Sequence, residues 1–240
     1  MTSRATPVPP AVAALPRDPR GYPIPAITPR DAEGRPTFAI TGTARTLICS
    51  VERRCSICGT PMPPGPVHRV IAAAETEALA AALAAGRPAA NKAPSPEPPG
   101  HRDCMLFAAF TCPFLARPNA RRGQDAHVFG ESLTRGTARG SATDDESGTR
   151  IGGAVAGFAD YEFRYVPGEQ VAFLFTGLTE LRPHHLGADQ IPELTAALAA
   201  APSGPLEEAC PPYLLDDEAA AEAYAREILE AAMARQQGGS

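Results

Sequence analysis

Cys55-Ser56-Ile57-Cys58-Gly59-Thr60-Pro61 and, further along, Pro98-Pro99-Gly100-His101-Arg102-Asp103-Cys104 decide how this chain reads. The first segment places two thiols three positions apart with Gly59 directly behind them. That spacing makes a tight turn whose free N–H groups can face the sulfurs and stabilise their charge. In the second, His101 and Cys104 lie about one helical turn apart, so on a helix they share a face. Pro98-Pro99-Gly100 fixes the start of that helix. The pair then sits at the positive end of the helix dipole, where a thiolate is favoured. Cys55, Cys58, His101 and Cys104 form a Cys3His set, enough to close a tetrahedral Zn2+ site. A turn pair, a hairpin and then a helix-start pair predict a treble-clef-like zinc module.

Other readings of these residues are weaker. A CxxC alone can be a redox pair, but Thr60-Pro61-Met62-Pro63-Pro64 follows it instead of a helix, and no βαβ pattern surrounds it. His101 alone could be a helix-cap histidine. The two pairs are separated by 42 residues, 59–100. Compared with a compact finger, the longer gap adds only about 1.1 kcal/mol of closure entropy. A structural zinc contributes roughly 10–16 kcal/mol in small peptides. His68 is a less plausible ligand than His101. Cys112, eight residues after Cys104 and so ~12 Å along a helix axis, reads as a buried helix-end thiol. Cys49 reads as a partly exposed thiol and Cys210 as a loop thiol. His127 and the pair His184-His185 read as solvated surface histidines. The chain has no H-x-E of a zinc deaminase, no H-E-x-x-H, no Walker loop and no G-x-S-x-G. No catalytic residue is assigned.

Working outward gives an α+β protein. Residues 1–36, rich in Pro and Arg, read as a disordered arm. Residues 35–40 suggest a short strand. Ala44, Leu47, Ile48 and Val51 follow the i, i+3, i+4, i+7 pattern of a helix face. A strand is expected over 66–71 and an Ala-rich helix over 72–85, with Gly86 as its cap. The Pro-rich stretch 87–100 reads as a linker, so 72–99 is an insertion carried outside the site. The helix 101–112 stops at Pro113, and the polar stretch 121–150 reads as a flexible loop. From Tyr161 apolar residues alternate, predicting a β-hairpin over 160–176 around Pro167-Gly168. Ile191, Leu194 and Leu198 mark a short helix. A last helix opens at Asp216 with Tyr224, Ile228, Ala231 and Ala232 as its buried stripe. No internal repeat is evident. The domain map is arm 1–36, zinc module 37–120, loop 121–150, and hairpin with C-terminal helices 151–236.

Composition limits the function classes. The chain has 240 residues with 27 Pro, 21 Gly, no Trp, and a net charge of −5. No apolar run approaches the ~20 residues of a membrane helix. Pro7, Pro9, Pro10 and Pro16 interrupt any secretory signal core. A cytoplasmic protein is expected, with six cysteines reduced or metal-bound. Residues 1–125 carry 15 basic and 9 acidic side chains, or +6; residues 126–240 carry 7 and 18, or −11. Arg45, Arg53, Arg54, Arg102, Arg117, Arg121 and Arg122 surround the ligand pairs and suggest a nucleic-acid or protein partner. The expected role is a non-enzymatic binding module. The alternative is a zinc or treble-clef hydrolase or nuclease, which needs an open coordination position that four protein ligands do not leave.

Four stretches carry a resemblance: RGYPIP (20–25), RCSICGTPM (54–62), SPEPPGHRDC (95–104) and CPFLARPNARR (112–122). Together they resemble an uncharacterised CxxC…HxxC…CPFL zinc-finger-like family of high-GC bacteria and their phages. The resemblance spans roughly 20–182 and is strongest over 53–70 and 95–122. It implies a metal held by Cys55, Cys58, His101 and Cys104, and a shared fold. No activity attaches to it. Ser56 stands where the family often has an aromatic residue, and the Ala-rich 72–90 segment departs from its pattern.

Overall fold

A computed structural model describes residues 7–38, 41–87, 95, 98–112, 150–165, 171–186, 191–200, 208–215 and 217–238. Its framework is a three-stranded antiparallel sheet in the order β1-β2-β3. The strands are β1 (Val67–Ile71), β2 (Arg150–Tyr165) and β3 (Val171–Leu186). Val67 stands opposite Phe158, and Tyr161 opposite Phe175. Alternation puts Tyr161, Phe173 and Phe175 together in the core, and Phe158, beside the irregularity at Gly157/Phe158, joins them with its ring 5.0 Å from that of Phe175. The hairpin is therefore longer than the expected 160–176. Its outer halves run through glycines and Pro183-His184-His185, which carry no period-two signal. β1 pairs with β2, so the sheet joins the metal-bearing part of the chain to the hairpin.

Seven helices surround the sheet among the described residues: α1 (Pro10–Ala13), α2 (Thr43–Val51), α3 (Ala73–Ala84), α4 (Arg102–Thr111), α5 (Ile191–Ala199), α6 (Pro212–Leu215) and α7 (Glu218–Gly238). α4 packs on β1 and β2, α5 against α4, and α7 along α2. The fold is α+β, with one contiguous apolar core.

Several expectations are corrected. From Pro7 onward the arm is ordered over the described residues: Val12, Leu15, Ile24 and Ala26 are buried in the core. It is held by backbone pairing, which composition does not reveal. Ala26 N–H donates to the Ile57 carbonyl at 2.8 Å, and Gly42 N–H to that of Ile27 at 2.8 Å. The arm also contains a repeat, Arg-Asp-x-x-Gly-x-Pro, at 17–23 and 30–36. In each copy the Asp carboxylate accepts the N–H groups two and four residues on: Arg20 and Tyr22 from Asp18, Glu33 and Arg35 from Asp31. Such Asx turns pre-set the loop without apolar periodicity. Instead of a strand at 35–40, Pro36 makes an isolated bridge to Arg30; residues 39–40 lie outside the described set.

α2 is buried from Arg45 to Ser50, because α7 covers one side and the arm and sheet the other. Cys49 is accordingly 1% exposed, while Val51, placed on the buried stripe, is 44% exposed. α3, within the expected insertion, packs on β2 and β3. Leu79 and Thr76 are buried, and Glu75 pairs with the buried Arg69 of β1. Within the expected linker, Ser95 exchanges two backbone hydrogen bonds with Phe173. On α7 the buried positions are Ala221 and Ala225, and Ala231 and Ala232 are exposed. His184 is buried on β3, not solvated in a loop. Of the expected loop 121–150, Arg150 opens β2 and residues 121–149 lie outside the described residues, as do Arg117 and Pro113, Phe114 and Leu115; His127, Arg121 and Arg122 fall in that undescribed stretch.

Candidate metal centre

The first half of the centre is a miniature ladder. Arg53 leaves α2 with φ of +51°, and Arg54 then bridges to Pro61. Cys55 N–H donates to the Thr60 carbonyl at 2.9 Å, and Gly59 N–H to that of Cys55 at 2.8 Å. The turn closes only with glycine. Gly59 has φ of +71°, and a β-carbon there would lie 2.1 Å from Cys210 Sγ.

The second half arrives through Pro99 and Gly100. The Pro99 carbonyl accepts Ser56 N–H at 3.0 Å, and Gly100 exchanges two backbone bonds with His68 of β1. Gly100 passes so close to Cys55 that a β-carbon would sit 2.9 Å from its sulfur. His101 follows as the N-cap of α4, and Cys104 lies in its first turn.

The donor atoms of Cys55, Cys58, His101 and Cys104 all lie within 4.8 Å of one another. The three cysteines are buried and His101 is half-buried. Cys58 Sγ is 3.4 Å from His101 Nδ1. His101 Nε2 lies 3.0 Å from the Pro61 carbonyl, which can only accept, so Nε2 carries the proton. Nδ1 then presents its lone pair to the sulfurs, the tautomer a metal ligand needs. Cys55 Sγ accepts the His101 N–H at 3.3 Å, and Thr60 Oγ1 lies 3.1 Å from Cys58 Sγ.

The electrostatics point the same way. Burial pushes the Cys55 thiol up, but hydrogen bonds from Cys104, Cys58 and the His101 N–H override it and hold it well below the usual thiol range. Hydrogen bonds to Cys55 and Cys58, together with burial, push Cys104 well above that range. Burial lowers His101, but its hydrogen bond to Cys58, the Cys58 and Asp103 charges and the Pro61 carbonyl together outweigh that and raise it. A thiolate at Cys55 is favoured in this pocket, and ionising Cys104 beside it needs a cation close by. The donor set therefore fits a divalent metal that takes sulfur and imidazole nitrogen.

The remaining candidates fall outside the cluster. His68 is buried on β1 with Nε2 3.4 Å from Glu180 Oε2. Cys112 caps α4 and is half-buried. Cys210 leans on Gly59, and burial pushes its thiol up to about 12. No disulfide forms among the six cysteines. Nothing in its local sequence marks Cys210 as a neighbour of the turn.

The arginines beside the pairs are engaged within the molecule. Arg45, 0% exposed, binds Glu218 at 2.8 Å and the Leu214 carbonyl at 2.5 Å. Arg53 pairs with Asp160 at 2.9 Å, and Arg54 with Glu52 and Glu208. Arg102 makes two 2.8 Å bonds to Glu180. Asp160, Glu180, Glu208 and Glu218 all come from the acidic half, so these four arginines are neutralised across the fold. No helix among the described residues is long and apolar enough to cross a membrane. No family model matches the chain, and neither the curated proteins nor the solved structures contain a match to it.

Proposed function

We propose that Cys55, Cys58, His101 and Cys104 hold one structural Zn2+ in a treble-clef-like module, and that the chain is a cytoplasmic, non-enzymatic binding protein. The observation that carries this is the gathering of three buried sulfurs and one correctly protonated imidazole within 4.8 Å. Zinc suits that mixed set better than the hard, oxygen-preferring cations. Four protein donors complete a tetrahedron and leave no position for a metal-bound water, which weighs against the hydrolase or nuclease reading.

A protein partner suits the surface better than nucleic acid. Arg45, Arg53, Arg54 and Arg102, the described arginines that flank the donors, already face carboxylates. Titrating the zinc-loaded full chain with single- and double-stranded DNA and RNA at low salt tests this. The expected result is no saturable binding. Binding whose logarithm falls with log salt at about −0.9 per phosphate contact on duplex DNA would reinstate the nucleic-acid reading.

A further inference from the structure

We infer that Glu180, on β3 and remote in sequence from every donor, is a positioning residue for the metal centre. It acts through Arg102 and His68 on the segment that carries His101 and Cys104. The inference rests on the metal-binding reading above.

The arrangement begins in the sheet register. His68 of β1 stands opposite Gly157 of β2, and Gly157 opposite Glu180 of β3. The three residues form one row across the sheet, where side chains on a shared face meet. His68 and Glu180 are separated by a whole strand, yet His68 Nε2 lies 3.4 Å from Glu180 Oε2. Gly157 makes this reach possible. A β-carbon there would stand 2.8 Å from His68 Nε2 and 2.9 Å from Thr179 Oγ1. Any side chain at this position would displace the imidazole from the carboxylate.

Glu180 then grips the metal-bearing segment on both sides of His101. On the C-terminal side, Arg102 donates through Nε to Glu180 Oε2 and through Nη2 to Oε1, each at 2.8 Å. This two-pronged geometry fixes the guanidinium plane as well as its position. On the N-terminal side, the His68 backbone exchanges bonds of 3.0 and 2.8 Å with Gly100. Glu180 thus anchors Arg102 by its side chain, and Gly100 through His68. His101 is the residue between them, and Cys104 follows two positions after Arg102. Partners bonded directly to a ligand alter metal affinity by about 10–100-fold when removed, and Glu180 stands one link beyond such a partner.

The test measures zinc affinity of the full chain by competition with a chromophoric chelator, well below the unfolding temperature. Glu180→Ala is expected to weaken zinc binding by about tenfold, the low end of that range, and Glu180→Gln by less, since the amide keeps one acceptor. Arg102→Gln is expected to weaken it similarly, and the double variant little further, because both changes break one link. Leu79→Ala, in the core but away from the donors, is the comparison. It is expected to lower thermal stability while leaving affinity within twofold. If both Glu180 variants behave like Leu79→Ala, Glu180 is only structural and the inference is overturned. If Arg102→Gln and Glu180→Ala weaken binding additively, the proposed route through Arg102 is wrong. Wild-type protein that binds no zinc overturns the metal reading itself, and this inference with it.

Discussion

Gly59→Ala probes the turn where the metal module and the C-terminal half meet. The backbone at Gly59 is left-handed, φ +71°. Holding alanine there costs about 1 kcal/mol. The new β-carbon would also lie 2.1 Å from Cys210 Sγ and 3.1 Å from Ala26 Cβ. Ala26 is buried and pairs with Ile57, and Cys210 Cβ, 3.2 Å away, stays close even when Sγ rotates aside. Overpacking of this kind costs about 1–3 kcal/mol. The expected loss is therefore about 2–4 kcal/mol. Cys210→Ala removes the sulfur, so in that background the cost of Gly59→Ala falls to about 1–2 kcal/mol, the backbone cost plus milder contacts with the β-carbons of residues 26 and 210. Urea unfolding of the four proteins at one free-zinc concentration measures both numbers. A Gly59→Ala loss under about 0.5 kcal/mol, or one that Cys210→Ala leaves unchanged, refutes the packing described here.

Two further outcomes follow from groups the fold buries or pairs. Cys49→Ser should lower stability by about 1–2 kcal/mol, since it places a hydroxyl at a site only 1% exposed, while zinc content stays at the wild-type level; thermal unfolding and metal analysis check this together. Acid should weaken the fold in two stages. Burial lowers His68 below its ordinary 6.5, so its contribution is present above pH 6.5 and is lost as pH falls through the folded value. The Arg102 hydrogen bonds hold Glu180 down at about 2 instead of 4.5, so its contribution is present above pH 4.5 and fades as pH falls toward 2. Taken alone the Glu180 lowering is worth roughly 3 kcal/mol, and solvent screening reduces it to about 1–2 kcal/mol. The stabilities of wild type and Glu180→Gln should therefore converge between pH 4.5 and 2, measured by urea midpoints; a constant gap would contradict the pairing.

Local pattern was legible where it had a local cause. The two ligand pairs, the helix at Thr43–Val51, the strand at Val67–Ile71 and the helix at Arg102–Thr111 each announce themselves by spacing, and they bring the four donors together. The inner half of the hairpin was legible from Tyr161, Phe163, Val171, Phe173 and Phe175. What remained hidden depends on distant partners. Proline-rich composition suggested disorder at 7–36, but backbone pairing to the Cys55–Thr60 turn orders it. Cys49 reads as partly exposed only while α2 is imagined with one covered face. The row His68, Gly157, Glu180 has no sequence signal, because it exists only in the register of three strands. The charge split suggested a basic surface seeking a partner, whereas carboxylates of the acidic half already occupy Arg45, Arg53, Arg54 and Arg102.

Cobalt titration of chelator-treated protein tests the central claim most directly, because Co2+ reports both stoichiometry and ligand geometry. The expected result is saturation at one Co2+ per chain, as set by one four-donor cluster. The spectrum should show strong visible absorption of a four-coordinate ion and near-ultraviolet charge transfer from three thiolates, all erased by excess Zn2+. Cys104→Ser should diminish both. A weak, six-coordinate spectrum, or one that Cys104→Ser leaves unchanged, would show that Cys55, Cys58, His101 and Cys104 do not hold a metal.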